Sequence, residues 1–292
     1  MKKSVSVVLT CHNRKEKTLG CLRGILQEDS VKSGKYEINI YVCDDASSDD
    51  TAKAISQLSD RIHIVSGNGD LFWARGMAKA MTTAEKSDAD FYLMVNDDVE
   101  FFPDMLDIML DSYYSVEGTL HAVVGSTKDK ETGKHTYGGV MWNGKGIGEE
   151  HIAVTPCNPC PNCNQTNWNC FLIPKELYKI IGKIDDYYEH SWADFDYSNR
   201  IIRAGYDIYV AHSYIGFCSR NEIKGTWADR SLPFVKRIRA MHRKTGLSPR
   251  SHWHYCKKFY GYEAIFVFIR PYLSICKDSI RRFLKSKKND KE

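Results

Sequence analysis

The sequence predicts an α/β protein built on a mostly parallel central sheet flanked by helices, with a helical tail following it. Three observations carry this expectation. SVSVVL at Ser4–Leu9 and FYLMV at Phe91–Val95 are short apolar runs without alternation, the pattern of strands buried on both faces. Helix-like stretches separate such runs, so strand and helix alternate at the rhythm of parallel βαβ units. Each apolar run also ends in a polar turn, which gathers the loops along the sheet edge where open α/β sheets place their ligands.

Ser4–Leu9 is β-branched and opens the sheet, breaking at Thr10-Cys11-His12-Asn13-Arg14 before a helix that starts near Lys15 or Glu16. Tyr36–Cys43 is a second strand and runs into Asp44-Asp45-Ala46-Ser47-Ser48-Asp49-Asp50-Thr51. Asp and Ser side chains there can cap the helix of Ala52, Ile55 and Leu58. Ile62–Val65 is a third strand, Gly67-Asn68-Gly69-Asp70 is a turn by composition, and a helix through Ala74–Ala84 returns to the central strand Phe91–Val95. Beyond Phe102-Pro103 the pattern predicts a helix at Met105–Tyr113 and a strand at His121–Ser126. Hairpin material follows at Thr136–Met141, with a Gly-rich loop through Gly148. Trp168–Pro174 reads as a strand, Lys175–Gly182 as a helix, and a further helix runs through Arg203 to Gly205 before a last strand at Tyr206–Val210. From Arg230 onward the pattern is helical, aromatic and basic.

At 292 residues, 42% hydrophobic and 27% charged, the chain has room for a full core and an ordinary globular composition. The net charge of +4 is unevenly spread, with a basic excess from Lys236 that closes on Arg281, Arg282, Lys285, Lys287 and Lys288. Val5–Leu9 is too short for a signal peptide and meets His12, Asn13 and Arg14 too soon, which predicts a cytoplasmic protein. The ten cysteines are then expected as thiols. Cys157-Asn-Pro-Cys160-Pro-Asn-Cys163 has a spacing that can hold a structural zinc, but a second pair at finger spacing is missing, so free thiols in a Pro-rich loop are the expectation. The basic residues come with no nucleic-acid-binding motif, which argues against nucleic acid as a partner. In the tail, apolar Phe259–Ile269 leads through Arg270 and Pro271 into the cationic Lys277–Lys288 segment. Such a stretch either lies peripherally on an anionic membrane surface, on the inner face of the cell membrane, or packs on the domain with a solvated charged end.

The stretch that carries chemistry is FYLMVNDDVE, Phe91–Glu100. Its apolar half is a buried strand, and unpaired carboxylates are too costly to follow it into a core, so Asn96, Asp97, Asp98 and Glu100 belong at the C-terminal end. Clustered oxygens on a rigid strand end suit a hard cation, Mg2+ or Mn2+, that in turn holds phosphates. The alternative is a solvated acidic turn that caps the next helix.

Several stretches together resemble the family 2 glycosyltransferases, nucleotide-sugar enzymes of GT-A fold. SVVLTCHNR resembles their opening strand and loop, VCDDASSDDT their second strand and turn, and NDDVE their metal-binding acidic element. Arg75 in WARGM falls where they carry a phosphate-facing Arg, and ADFDYSNRIIRAGY resembles their acceptor-side acidic motif and helix. The match spans Val5–Val210; GNGDLFW, NWNCFLIP and HSWADFDY further resemble a bacterial branch associated with surface polysaccharides.

The resemblance implies a glycosyltransferase domain at 1–228, with a nucleotide-sugar-binding half at 1–100 and an acceptor half at 101–228, followed by a basic helical extension at 229–292. It implies inverting transfer from a nucleotide-diphosphate sugar to a glycan acceptor, lipid-linked in this branch, in capsule or O-antigen type synthesis. Asn96 replaces the first acid of the metal motif, so Asp98 is the expected ligand, helped by Asp97. The family's later metal-binding His is absent: Cys218 stands there and His212 comes too early, so coordination would rest on Asp98, diphosphate oxygens and water. Asp194 is the candidate general base or else a plain N-cap, and Asp196 more naturally caps or orients. Asp44 and Asp45 are expected to read a pyrimidine N3–H, to cap a helix, or to divide the two roles. Thr10, Cys11, Asn13, Arg14, Asn68 and Arg75 are expected on the donor, with Arg75 alternatively a surface cation. Trp192, on the acceptor side, and Trp73 either stack on sugar rings or simply pack. Two rivals remain: a sugar nucleotidyltransferase, for which Cys11–Lys15 lacks the Gly-rich phosphate loop, and a non-enzymatic interaction protein stapled by zinc at Cys157–Cys163.

Overall fold

A computed structural model describes residues 2–118, 120–143 and 150–289, with side chains described as far as residue 282. The Gly-rich loop expected to end at Gly148 lies outside these residues. The first half runs β1 (Lys3–Cys11), α1 (Lys15–Leu26), α2 (Asp29–Lys32), β2 (Tyr36–Asp44), α3 (Thr51–Ser56), β3 (Ile62–Ser66), α4 (Phe72–Ala84), β4 (Phe91–Val95), β5 (Glu100–Phe101) and α5 (Met105–Ser115). The second runs β6 (His121–Lys128), β7 (Gly139–Asn143), β8 (Glu150–Val154), β9 (Asn162–Cys163), β10 (Gln165–Thr166), β11 (Cys170–Pro174), α6 (Lys175–Ile181), α7 (Ala193–Arg203) and β12 (Asp207–Phe217). Three helices follow: α8 (Phe234–Met241), α9 (Pro249–Tyr260) and α10 (Ala264–Asn289).

Among the described residues, nine strands form one sheet in the order β3-β2-β1-β4-β11-β6-β12-β5, with β9 paired to β12. The sheet is mixed, with antiparallel strands set among the parallel ones that the sequence predicts. β3, β2, β1 and β4 run parallel, as do β6 and β12, but β11 is antiparallel to both β4 and β6. Every residue of β11 is buried, and a strand covered on both faces shows the same apolar run in either direction. The last strand also reaches well past Val210: polar His212 and Ser213 sit at a register shift, beyond which β12 resumes pairing with β6. A smaller sheet, β10-β7-β8, contains the expected hairpin.

The chain separates into two compact units, the second comprising Tyr187–Trp192 and the chain from Asn221 onward. The division expected after residue 228 falls inside that second unit. In the first unit, the core packs Val7, Leu9, Ile40, Val42, Leu93 and Leu172 from the sheet with Leu22 and Ile25 of α1 and Met109 of α5. α4 crosses β1 closely enough that a Cβ on Gly76 would fall 2.2 Å from Thr10 Oγ1. In the second unit, α10 packs with α9 through Val267, Ala264 and Cys256, with Trp253 and Phe268 alongside. No helix among the described residues is long and apolar enough to cross a membrane.

The cysteines of the Pro-rich loop differ in burial. Cys163 is fully buried in β9 against β12, Cys157 is exposed, and no cluster of three potential ligands occurs among the described residues.

Candidate active site

β4 ends where expected, and Asn96, Asp97 and Asp98 leave it in different directions. Asp97 turns inward: its carboxylate takes Arg14 Nη1 at 2.9 Å and the Thr18 hydroxyl at 3.0 Å. Burial pushes this carboxyl up to about 6 even though Arg14 pulls it down. Asp98 stays partly open and accepts Arg14 Nη2 at 2.6 Å. One guanidinium at the start of α1 thus bridges two adjacent carboxylates, and together they outweigh the burial that works against its charge.

Asn96 faces the other way. Its Oδ1 accepts from Trp73 Nε1 at 2.9 Å and its Nδ2 donates to Asn169 Oδ1 at 3.3 Å. Asn169 in turn donates to Cys218 Sγ at 3.2 Å, and that sulfur lies 4.0 Å from Asp98 Oδ1. Trp73, Asn96, Asn169, Cys218, Asp98 and Arg14 therefore form one connected polar chain where β4 ends and β11 begins.

The loops beside this polar chain are fastened by Asp45 and Asn13. Asp45 Oδ1 accepts from the backbone N–H groups of Asn68 at 3.1 Å and Gly69 at 2.8 Å, and Oδ2 from those of Leu71 at 2.9 Å and Phe72 at 3.1 Å. It caps α4 from a distant strand, which favours a negative charge at the helix N-terminus. The packing is close enough that a Cβ on Gly67 would meet Asp45 Oδ1 at 2.5 Å. Both Asp45 oxygens are thereby engaged inside the protein. Among the described residues, the Asp44 carboxylate accepts from Ser47 N at 3.3 Å and the Cys11 thiol at 3.6 Å. Asn13 holds a left-handed φ of 50° and its Oδ1 accepts from Ser48 N at 2.7 Å. Thr10 and Cys11 are buried, with the Thr10 hydroxyl donating to Cys43 O at 3.0 Å.

Asp194 stands in the first turn of α7, partly buried, and accepts from the Phe195 N–H at 2.9 Å. Burial pushes its carboxyl up to about 6, while the Phe195 N–H and the Asn167 side chain draw it back. The segment Asn167-Trp168-Asn169 touches both Asp194, through Asn167, and Asn96, through Asn169. α7 itself is held to β10 by Thr166–Ser198 and Gln165–Asn199 hydrogen bonds, each 2.9 Å.

Three expected site residues lie elsewhere. Arg75 follows Trp73 by two positions, ~200° round a helix, so the two point apart. It donates to Asp186 O at 3.2 Å and lines a separate cleft of about 530 Å3 with Leu71, Lys79 and Lys183. Asp196 is fully buried and paired with Arg200 Nε at 2.9 Å, an orienting role that leaves no open edge for an acceptor. Trp192, within the second unit, stacks on His252 at 4.8 Å and on Tyr255 at 4.7 Å, which makes it a packing residue.

A family model described as glycosyl transferase family 2 matches residues 6–161, which is 156 of 292 residues. The chain belongs to glycosyl transferase family 2. Its fold is GT-A, as in several solved glycosyltransferases. The mannosyltransferase PcManGT of Pyrobaculum calidifontis, in complex with GDP-Man and Mn2+, is 14% identical with a TM-score of 0.50, over 94% of this chain and 69% of that one. S. aureus TarS 1-349, in complex with UDP-GlcNAc, is 13% identical with a TM-score of 0.53, over 96% and 82%. GalNAc-T7 with UDP, GalNAc and Mn2+ is 12% identical with a TM-score of 0.56, over 83% of this chain and 48% of that one. At these identities the likeness is one of fold. No curated protein sequence matches the chain.

For this family 2 glycosyltransferase the residues at the end of β4 could hold a divalent cation through Asp98. Asn96 and Asp97 are engaged inward, so Asp98 alone presents a carboxylate edge, and no three-ligand group exists among the described residues. That suits Mg2+ or Mn2+ shared with substrate phosphates and water, not a cage made by protein alone. Thr18, Asn167, Asn169 and Cys218 were not among the sequence-derived candidates. Asn167 and Asn169 flank a tryptophan at the start of a strand, and paired amides in such a place were the available signal.

Proposed function

We propose that this glycosyltransferase moves a sugar from a nucleotide-diphosphate donor to a glycan acceptor in a single displacement with inversion. The observation that carries the reading is the Asn167-Trp168-Asn169 segment, which ties the candidate base Asp194 and the candidate phosphate-binding end of β4 to one short stretch of chain. In this reading Asp44 accepts from the base N3–H, and Arg14 exchanges Asp98 for the donor diphosphate. Asp194 takes the acceptor hydroxyl's proton as the bond to the anomeric carbon forms. Mg2+ or Mn2+, bound through Asp98, would offset charge on the leaving diphosphate. The nucleotides and Mn2+ bound by PcManGT and GalNAc-T7 support this assignment. The resemblance of GNGDLFW, NWNCFLIP and HSWADFDY supports a lipid-linked acceptor in bacterial surface-polysaccharide synthesis, with the catalytic domain at 1–228.

Binding of nucleoside diphosphates with Mn2+, followed by thermal shift and calorimetry, tests the donor site. Asp98→Ala should lose turnover and the Mn2+-dependent part of nucleotide affinity, while Asn96→Ala loses much less. Equal affinity with and without chelator, in wild type and Asp98→Ala alike, would remove the metal from the site.

A further inference from the structure

α10 presents three different faces. At ~100° per residue, Ala264, Val267 and Ile275 fall on one side, and all three are buried. Ile265, Phe266, Ile269, Leu273 and Ile280 fall together in a separate sector ~100° wide, and this sector is open: Phe266 is 61%, Leu273 62% and Ile280 60% exposed. Arg270, Lys277 and Arg281, all exposed, form a row along one border of that sector, within the next ~60°. The one acid of α10 whose side chain is described, Asp278, points away from both and pairs with Arg230 at 3.3 Å and Arg237 at 3.2 Å.

We propose that this face of α10 is a docking surface for an anionic membrane, on which the helix lies in the plane of the interface. The apolar sector would enter the headgroup–acyl boundary while Arg270, Lys277 and Arg281 stay at the level of the phosphates, with their stems along the apolar edge. A second copy of the chain is the competing occupant, because Phe266, Ile269, Leu273 and Ile280 also follow a heptad seam. Charge decides between them. A paired helix needs acids opposite its flanking cations, and the exposed arc of α10 carries cations alone, whereas anionic headgroups supply the complement. The helix cannot span a bilayer, so the surface mode is the one its composition allows. The inference uses the second unit only and does not depend on the catalytic roles proposed above.

Co-sedimentation of the full chain with phosphatidylcholine vesicles, with and without phosphatidylglycerol, tests it. Wild type should bind the phosphatidylglycerol vesicles and be released by salt. Arg270→Gln/Lys277→Gln/Arg281→Gln should weaken that binding about a hundredfold. Phe266→Ser/Leu273→Ser, two changes at exposed positions, should weaken it about tenfold or more with melting temperature unchanged. Transfer to a water-soluble acceptor should survive in both variants. Equal binding to both vesicle types overturns the proposal. So does a Phe266→Ser/Leu273→Ser protein that loses a dimer in light scattering while its vesicle binding matches wild type, which would assign the face to a second copy.

Discussion

Asp194 has its charge regulated by neighbours that can be changed one at a time. With the carboxyl raised to about 6 by burial, the base form is populated above that pH and lost below it. The transfer rate should therefore fall with an acid limb near 6. Asp194→Asn should cost about 10²–10⁴-fold in rate with donor affinity intact, since a general base contributes nothing to ground-state donor binding. Asn167→Ala removes a hydrogen bond that favours the charged form, so its acid limb should move to higher pH; a limb that stays in place would mean Asn167 only packs. Asp196→Asn should instead lower stability, by about 2 kcal/mol, with the rate limb unmoved. A collapse of rate in Asp196→Asn with Asp194→Asn unaffected would assign the base to the other carboxylate. At this scale the sequence shows which residues carry charge and not what surrounds them. Asp44 and Asp45 are indistinguishable as neighbours, and only the 67–72 loop closing over Asp45 separates their roles. Asp98 was legible because apolar FYLMV leaves an acid nowhere to go but the strand end. The partner of Arg75, Asp186 O, was not readable because it lies 111 residues away.

Among the elements, α5 shows how a helix end is completed by chain far from it. Its own Asp104 makes no side-chain cap; instead the Glu28 carboxylate, buried between α1 and α2, accepts from Leu106 N at 3.1 and 3.0 Å. Burial pushes Glu28 from the ordinary 4.5 up to about 8, despite the Leu106 N–H and the Ser30 hydroxyl drawing it down. Its folded value lies above its unfolded one, so the stability it contributes is complete below about 4.5 and drains away as pH rises through about 8. Glu28→Gln keeps an acceptor for Leu106 N–H and has no proton to lose. Its melting temperature relative to wild type should climb between those two pH values, and a flat difference would show that Glu28 does not titrate there. Helices and strands themselves were largely readable, because α1, α4 and α5 carry apolar positions at helical spacing. Direction was not readable for β11, and neither was the length of β12, whose polar middle hides a register shift.

For the whole molecule, β11 has a consequence in time as well as in space. β4 and β6 are both interior strands only because β11 lies between them, paired to each. Until β11 arrives, two apolar strands have unpaired edges, the condition under which chains associate wrongly. The β1–β2 and β2–β3 pairings join neighbouring βα units, whereas β11 must find β4 across an intervening stretch that holds α5 and six strands, so its insertion should come late. Pulse-labelled hydrogen exchange during refolding should protect the amides of Val7–Leu9 and Ile40–Val42 before those of Phe171–Ile173; simultaneous protection would refute that order. Asn169 sits immediately ahead of β11, and Asn167 two residues earlier. The chain would then pair β1 to β4 first, and the same late step that closes its exposed edges would bring the proposed base Asp194 and the end of β4 into register. During synthesis, the interval in which this protein is most prone to aggregate would be the interval in which it is not yet an enzyme.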